Sequence, residues 1–204
     1  MIGERWALLV VRDLLLGPKR FTDLLAGLPG ASSDVVAQRL RDLCEAGVVR
    51  RRRLAPPANI WVYELTSWGA DLEGVILGLA GWVHQSPRMR YDLPLSVDSA
   101  MLSLKMLFDH AAARDIRTTI ALHLGDERFS VRVDDGNLTI ARAEADNPDA
   151  ILVTDPASLL SLMRARQSLD ELVAVGHLQT SGDRLALEQF VQLFPVPDQS
   201  GAEA

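Results

Sequence analysis

The sequence predicts an α+β chain of two successive domains: a mainly helical domain with one β-hairpin over residues 1–85, and a sheet covered by helices over residues 97–195. A linker is expected at 86–96 and a tail at 196–204. Three observations carry this. Apolar residues recur at helical spacing through residues 4–46 and again through 66–85, with a basic, strand-like stretch between them. Residues 86–96, SPRMRYDLPLS, hold two prolines and little periodicity, whereas helical patterns run up to them and start again after them. Beyond them, strands with hairpin-turn chemistry precede and alternate with short apolar helices, which is how a layered sheet-and-helix domain is written.

In the first domain, Glu4 to Leu16 reads as an apolar helix (Trp6, Leu9, Val10, Leu14) stopped by Gly17-Pro18. Phe21 to Ala26 is a second short helix ending at Gly27, and Pro29-Gly30 turns the chain into a third. That third helix, Ser33 to Ala46, has Ser32 as N-cap and Asp34 at the positive end of its dipole. Val36, Leu40 and Leu43 form one buried stripe, and Gly47 supplies the left-handed residue that ends the helix. Asp34, Gln38 and Arg41 then point away from the stripe, with Ala37 and Arg39 flanking them. Two helices joined by so short a turn have the geometry of a helix-turn-helix.

Val48 to Leu54 and Ile60 to Leu65 read as the strands of a hairpin whose tip is Pro56-Pro57-Ala58-Asn59. Arg50, Arg51, Arg52 and Arg53 alternate across its first strand, so each face carries charge. One reading is a solvated edge strand kept basic against aggregation. The other, favoured by the helix in front of it, is the wing of a winged helix-turn-helix, whose guanidinium groups bind the phosphates of duplex DNA. Thr66 to Gln85 follows as a long helix with Leu72, Val75, Ile76, Leu79, Trp82 and Val83 around more than half its circumference. Such a face packs on its own chain or on the same helix of a second subunit; a homodimer also supplies the two-fold symmetry of palindromic operators.

Charge does not oppose this reading. The formal net charge of −6 divides into +1 for residues 1–84 and −7 for the rest, and nucleic-acid binding depends on local basic surface. No apolar run is long enough to span a bilayer and no basic-then-apolar leader is present, so a cytoplasmic protein is expected. Cys44 is the only cysteine, which excludes a disulfide framework and a cysteine-rich zinc site; it reads as a small, half-buried apolar residue.

The segments GERWALLVVRDLLLGPKRFTDLL, LPGASSDVVAQRLRDLCEAGVV and YELTSWGADLEGVILGLAGW together resemble the HxlR-type winged-helix transcriptional regulators over residues 3–84. The specific pieces are Trp6, Arg20-Phe21 with Leu24, Gln38-Arg39-Leu40, Glu45-Ala46-Gly47, Leu65-Thr66 with Gly69, and Trp82. The resemblance implies a homodimeric repressor or activator with the helix from Ser33 in the major groove and the arginine hairpin as wing. The DNA-binding residues are then Ser32, Ser33, Ala37, Gln38, Arg39, Arg41 and Arg50 to Arg53. The dimer face is Trp6, Leu72, Val75, Ile76, Leu79, Trp82 and Val83. Asp34 departs from the pattern, standing where such proteins often have a basic residue; there it repels phosphate or reads a cytosine amine. The chain also begins almost at Gly3-Glu4-Arg5-Trp6, whereas relatives carry an upstream segment that bears the reactive cysteine of a redox-sensing subset, so thiol sensing is not expected.

In the second domain, Ser96 to Arg114 is an expected helix, followed by strands at Thr118–Leu124, Glu127–Val133, Asn137–Ala143 and Ala150–Thr154. Helices at Pro156–Ala165 and Leu169–Val175, a strand at Leu178–Ser181 and a helix at Leu185–Phe194 complete a mostly antiparallel sheet covered by helices. His110, His123 and His177 lack partners at metal-ligand spacing. Asp134-Asp135-Gly136-Asn137 is hairpin chemistry, and Asp155-Pro156 a helix cap. With no nucleophile, metal or phosphate-loop constellation, neither enzymatic activity nor a cofactor is expected.

The order of TTIALHLGDERFSVRVDDGNLTI, a strand ending in TDP, a helix with LLSLM and VGHLQTSGDRLALEQFVQLF resembles a sterol carrier protein type-two domain over about residues 97–195. Its most specific part is Gly176-x-Leu178-x-x-x-Gly182-Asp183 before a helix ending in Leu193-Phe194. The resemblance implies an apolar tunnel holding a lipid or other hydrophobic molecule, lined by Leu104, Phe108, Leu159, Leu162, Met163, Phe190 and Phe194, which would make this half an effector sensor. The same residues also suit an ordinary core. Two other readings stay open: a second domain that only dimerises or docks, and a lipid carrier whose first half makes protein contacts.

Overall fold

The computed structural model describes residues 2–84, 86, 95–164 and 167–195. The tail at 196–204 and the expected linker, apart from Ser86, Leu95 and Ser96, lie outside the described residues. Two compact units divide the chain, residues 1–90 and 91–204.

In the first unit, α1 (Ala7–Leu14) starts three residues later than the apolar pattern suggests, because Trp6 sits in the left-handed region at φ 76°. α2 (Phe21–Gly27) is capped from one side: the Asp23 carboxylate accepts from the Arg20 backbone N–H at 3.2 Å. α3 (Ser33–Glu45) begins where the Ser32 hydroxyl accepts from Val35 N–H at 3.3 Å, and Gly47 at φ 73° follows its end. Its stripe of Val36, Leu40 and Leu43 is buried against Val10, Val11 and Leu14 of α1 and Leu24 of α2. These helices form the core on which the outward face of α3 is held.

β1 (Val49–Arg53) pairs antiparallel with β2 (Trp61–Leu65), placing Arg50 opposite Glu64, Arg51 opposite Tyr63 and Arg53 opposite Trp61. The loop before α2 joins this ribbon through Lys19 and Tyr63, which exchange backbone bonds of 2.9 and 2.8 Å. The helix expected over 66–85 is two helices, α4 (Ser67–Ala70) and α5 (Leu72–His84). Thr66 organises the start of α4: its hydroxyl accepts from Gly69 N–H at 3.0 Å and lies 2.7 Å from the Gly47 carbonyl, to which it donates. Gly69 rests on the Val48 carbonyl so closely that a Cβ there would collide with it.

The second unit starts with α6 (Val97–Leu107), capped by Ser96. The helix expected to reach Arg114 ends seven residues earlier: Phe108 is extended, and the Asp109 carboxylate takes the N–H groups of Ala111 and Ala112 at 2.8 and 3.0 Å. β3 (Arg117–Leu124), β4 (Glu127–Asp134) and β5 (Asn137–Ala141) form a meander. β6 (Ala150–Thr154) then joins the other side of β3 in parallel, and β7 (Leu178–Gly182) closes the order β5-β4-β3-β6-β7. The sheet is therefore mixed, with three antiparallel pairings and one parallel. Asp149 fixes the crossing: its carboxylate accepts from Thr119 N–H at 2.7 Å, and its backbone bonds both Thr119 and Asp183.

α7 (Pro156–Met163), α8 (Leu169–Ala174) and α9 (Arg184–Gln192) complete the unit. Phe129, Ile120, Leu122 and Leu152 of the sheet and Met101, Leu104, Leu159 and Phe190 of the helices are all buried in this unit's core. Among the described residues no helix is long and apolar enough to cross a membrane.

Candidate nucleic-acid interface

Burial of the α3 stripe leaves Ser33, Asp34, Gln38 and Arg41 exposed on its opposite side. These side chains are not independent. Arg41 Nη2 donates to Gln38 Oε1 at 2.6 Å, and Gln38 Nε2 donates to Asp42 Oδ1 at 2.7 Å. The Gln38 amide, the group suited to bidentate contact with adenine, is thereby oriented before any base reaches it. Arg39 lies lower on the helix, ion-paired with Asp42 at 3.1 Å and Glu4 at 3.4 Å, and Ala37 is half-buried beside it. Ser32 spends its oxygen on the helix cap.

The hairpin projects all four arginines, but its faces differ. On one, Glu64 accepts from Arg50 Nε at 2.7 Å and Arg52 Nε at 2.6 Å, one carboxylate oxygen to each. Burial by itself raises the Glu64 carboxyl; the bonds from Arg52 and Arg50 together outweigh it and hold the group below the usual carboxylate range. On the other face, the Arg51 guanidinium stacks 4.6 Å from the Trp61 ring centroid and 6.0 Å from that of Tyr63. Arg53 makes no ion pair among the described residues.

The expected dimer face is split by burial. Trp6, Leu72 and Ile76 pack against the unit's own core, whereas Val75, Leu79, Trp82 and Val83 are exposed and α5 buries no residue fully. In the second unit, Leu104, Phe108, Leu159, Leu162, Met163, Phe190 and Phe194 are each buried. Phe194 packs on Phe190 and Phe108 at centroid distances of 5.0 and 5.9 Å. Asp155 caps α7 as expected, accepting from Ala157 and Ser158 N–H. Burial raises the Cys44 thiol above its ordinary value, with Arg51 opposing. The histidines separate: His110 bonds the Gly136 carbonyl at 2.9 Å, His123 lies 3.7 Å from Glu144, and His177 lies 3.8 Å from Asp155.

Glu64, Asp42 and Trp61 were not among the residues expected from the sequence. Counting from a tip at Pro56–Asn59 would set Arg51 opposite Glu64; the loop instead spans residues 55–59, with Leu54 N–H bonded to the Ile60 carbonyl, and this one-residue difference places Glu64 opposite Arg50.

A helix-turn-helix with a basic two-stranded wing is the architecture of a DNA-binding regulator. The chain belongs to the HxlR-like helix-turn-helix family over residues 1–90 and to the alkyl sulfatase C-terminal family over residues 86–200. The second match stands where the order of elements resembled a sterol carrier domain. The HTH-type transcriptional regulator YodB of Bacillus subtilis is 32% identical over 85 residues, spanning 42% of this chain and 76% of its own. An HTH-type regulator of Mycobacterium tuberculosis, Rv3095, is 35% identical over 82 residues, spanning 40% of this chain and 51% of its own. Among solved structures, the sec-alkyl sulfatase PisA1 double mutant S233Y F250G is 18% identical with a TM-score of 0.46; the match covers 52% of this chain and 17% of the sulfatase.

Proposed function

We propose that this chain is a dimeric, cytoplasmic transcription regulator that places α3 in the major groove of duplex DNA and its wing on the backbone. The observation that carries the reading is the joint exposure of Gln38 and Arg41 on α3 and of the four-arginine ribbon, both held by one buried core. Gln38 and Arg41 supply base-edge contacts, and the wing supplies sequence-independent phosphate contacts. The open stripe of Val75, Leu79, Trp82 and Val83 on α5 supports a second copy as its cover. Replacing Arg50 to Arg53 with serine tests the wing: binding to all duplexes should weaken and its salt dependence flatten, by about 0.9 in slope for each phosphate no longer neutralised. Equal affinity of the quadruple variant would overturn it.

For the second unit the reading is a sterol-carrier-like effector domain for a hydrophobic molecule between sheet and helices, supported by the apolar cluster from Leu104 to Phe194. The alkyl sulfatase family match is compatible with an alkyl-chain ligand. A second reading, a domain that only dimerises or docks, is favoured by the close ring contacts of Phe108, Phe190 and Phe194. Thermal shift with fatty acids and sterols, together with native mass spectrometry, separates the two: stabilisation or a co-purifying lipid supports the effector reading, and neither leaves docking. Thiol sensing is not proposed, because Cys44 is partly buried and its thiol is pushed up.

A further inference from the structure

The wing carries two chemically different faces, although its first strand is a run of four identical residues. On the Arg50–Arg52 face, a carboxylate competes for the in-plane donors that a phosphate would use, because Glu64 binds both Nε atoms at 2.6–2.7 Å. Its side chain is only 12% exposed, so solvent screens these pairs poorly on the Glu64 side. Together the three groups carry one net positive charge. The paired positions on the Arg51–Arg53 face are Tyr63 and Trp61, neither of which carries a carboxylate. The Arg51 guanidinium lies over the Trp61 ring, 4.6 Å from its centroid, a cation–π contact that puts no acceptor on its N–H groups. Trp61 is itself half exposed at the end of β2 beside Arg53, so ring and cations form one open surface.

We propose that the wing grips the DNA backbone through its Arg51–Arg53–Trp61 face, and that Glu64 is a built-in counter-ion that holds Arg50 and Arg52 back from phosphate. Glu64 is thus a positioning residue that sets the salt dependence of binding. This rests on the DNA-binding reading above and deepens it. Phosphate must displace a bound carboxylate at Arg50 and Arg52, whereas at Arg51 and Arg53 it displaces only water and mobile ions.

The test uses the full chain, a generic duplex of about three helical turns, and binding measured from about 50 to about 200 mM salt. R51S/R53S should neutralise two fewer phosphates, lowering the log–log salt slope by about 1.8. R50S/R52S/E64Q should keep the wild-type slope. E64Q alone should steepen it by up to about 1.8, so that its affinity advantage grows about tenfold from the high to the low end of that range. Melting temperature and circular dichroism confirm that each variant is folded; if E64Q is not, the two serine sets still decide. Equal slopes for R51S/R53S and R50S/R52S/E64Q, or an unchanged slope for a folded E64Q, overturn the two-faced wing. Absence of salt-dependent binding by the wild-type chain would instead remove the DNA-binding reading itself.

Discussion

Replacing Trp82 with alanine should turn the dimer into a monomer without unfolding it. Trp82 is 72% exposed in the single chain, near the C-terminal end of a helix none of whose residues is fully buried. A tryptophan buries about 200 Å² when fully covered, so about 140 Å² of mainly apolar surface per protomer is left for a partner. At about 25 cal/mol per Å² that is about 3.5 kcal/mol per protomer, or about 7 kcal/mol for a symmetric pair. Full cover is the upper bound; even half of it shifts the dissociation constant by more than about a hundredfold. Because so little of the ring is buried in the single chain, the melting temperature of the monomer should hardly change. Sedimentation velocity from about 1 to about 100 µM reads the result directly: wild type dimeric throughout, the variant monomeric at the low end. A W82A protein that remains dimeric at every concentration would show that α5 is not the interface and that its open stripe faces something else.

Buried and capped positions give further outcomes. Leu40→Ala, in the α3 stripe, should cost about 2–5 kcal/mol in denaturant unfolding; a loss under about 1 kcal/mol would mean the stripe is not core. Gly182→Ala should destabilise the second unit, because φ is 89° and a Cβ would stand 2.5 Å from the Asp149 carbonyl; an unchanged melting temperature would refute this. Asp155→Ala should cost about 1 kcal/mol through loss of the α7 cap, measured by chemical denaturation. Burial raises the Asp155 carboxyl, but the bonds from the Ser158 hydroxyl and the Ser158 and Ala157 N–H groups, with His177 nearby, outweigh it and leave the group lowered. A lowered folded value gives stability that is present above the ordinary aspartate value near about 4 and is lost as pH falls through the folded one. D155A should therefore flatten the acid limb of stability against pH, and an unchanged limb would refute the assignment.

Local periodicity made most of the first unit legible. The α3 stripe, the Ser32 cap and the Gly47 stop each depend on residues within one or two turns, and each stands where its spacing put it. The breaks came where a distant group decides the local backbone. The short helix α4 is pinned by Thr66, which reaches the Gly47 carbonyl, and by Gly69, which lies on the Val48 carbonyl, contacts distant in sequence that no helical period records. The early end of α6 is set by Asp109, whose carboxylate offers the backbone an alternative to helix just where the apolar pattern continues into Phe108. The parallel pairing of β6 with β3 was hidden for another reason: a parallel register is set by the crossover and by Asp149, not by a turn that can be counted. At the candidate interface, residue types were legible and partnerships were not. Arg39 counted as a reading residue, yet Asp42 and Glu4 hold it.

Those partnerships alter what the basic surface can do. Both elements that would meet DNA carry their own carboxylates: Asp42 under Gln38 and Arg39 on α3, and Glu64 between Arg50 and Arg52 on β1 and β2. Contact at Gln38, Arg39, Arg50 or Arg52 must then exchange one charge-assisted bond for another, and the net gain of such an exchange is a fraction of the gross interaction. The near balance of charge over residues 1–84 is thus structural as well as compositional, because the acids sit beside the bases that would bind. On the proposed reading, non-specific affinity is limited at Arg50 and Arg52, where phosphate must compete with the Glu64 carboxylate, and rests on Arg51 and Arg53. A base edge that satisfies Gln38 and Arg41 together returns two directional bonds at once, and so restores what the exchange removes. Removing the internal acids should therefore raise binding to every duplex while narrowing the ratio between a preferred site and any other.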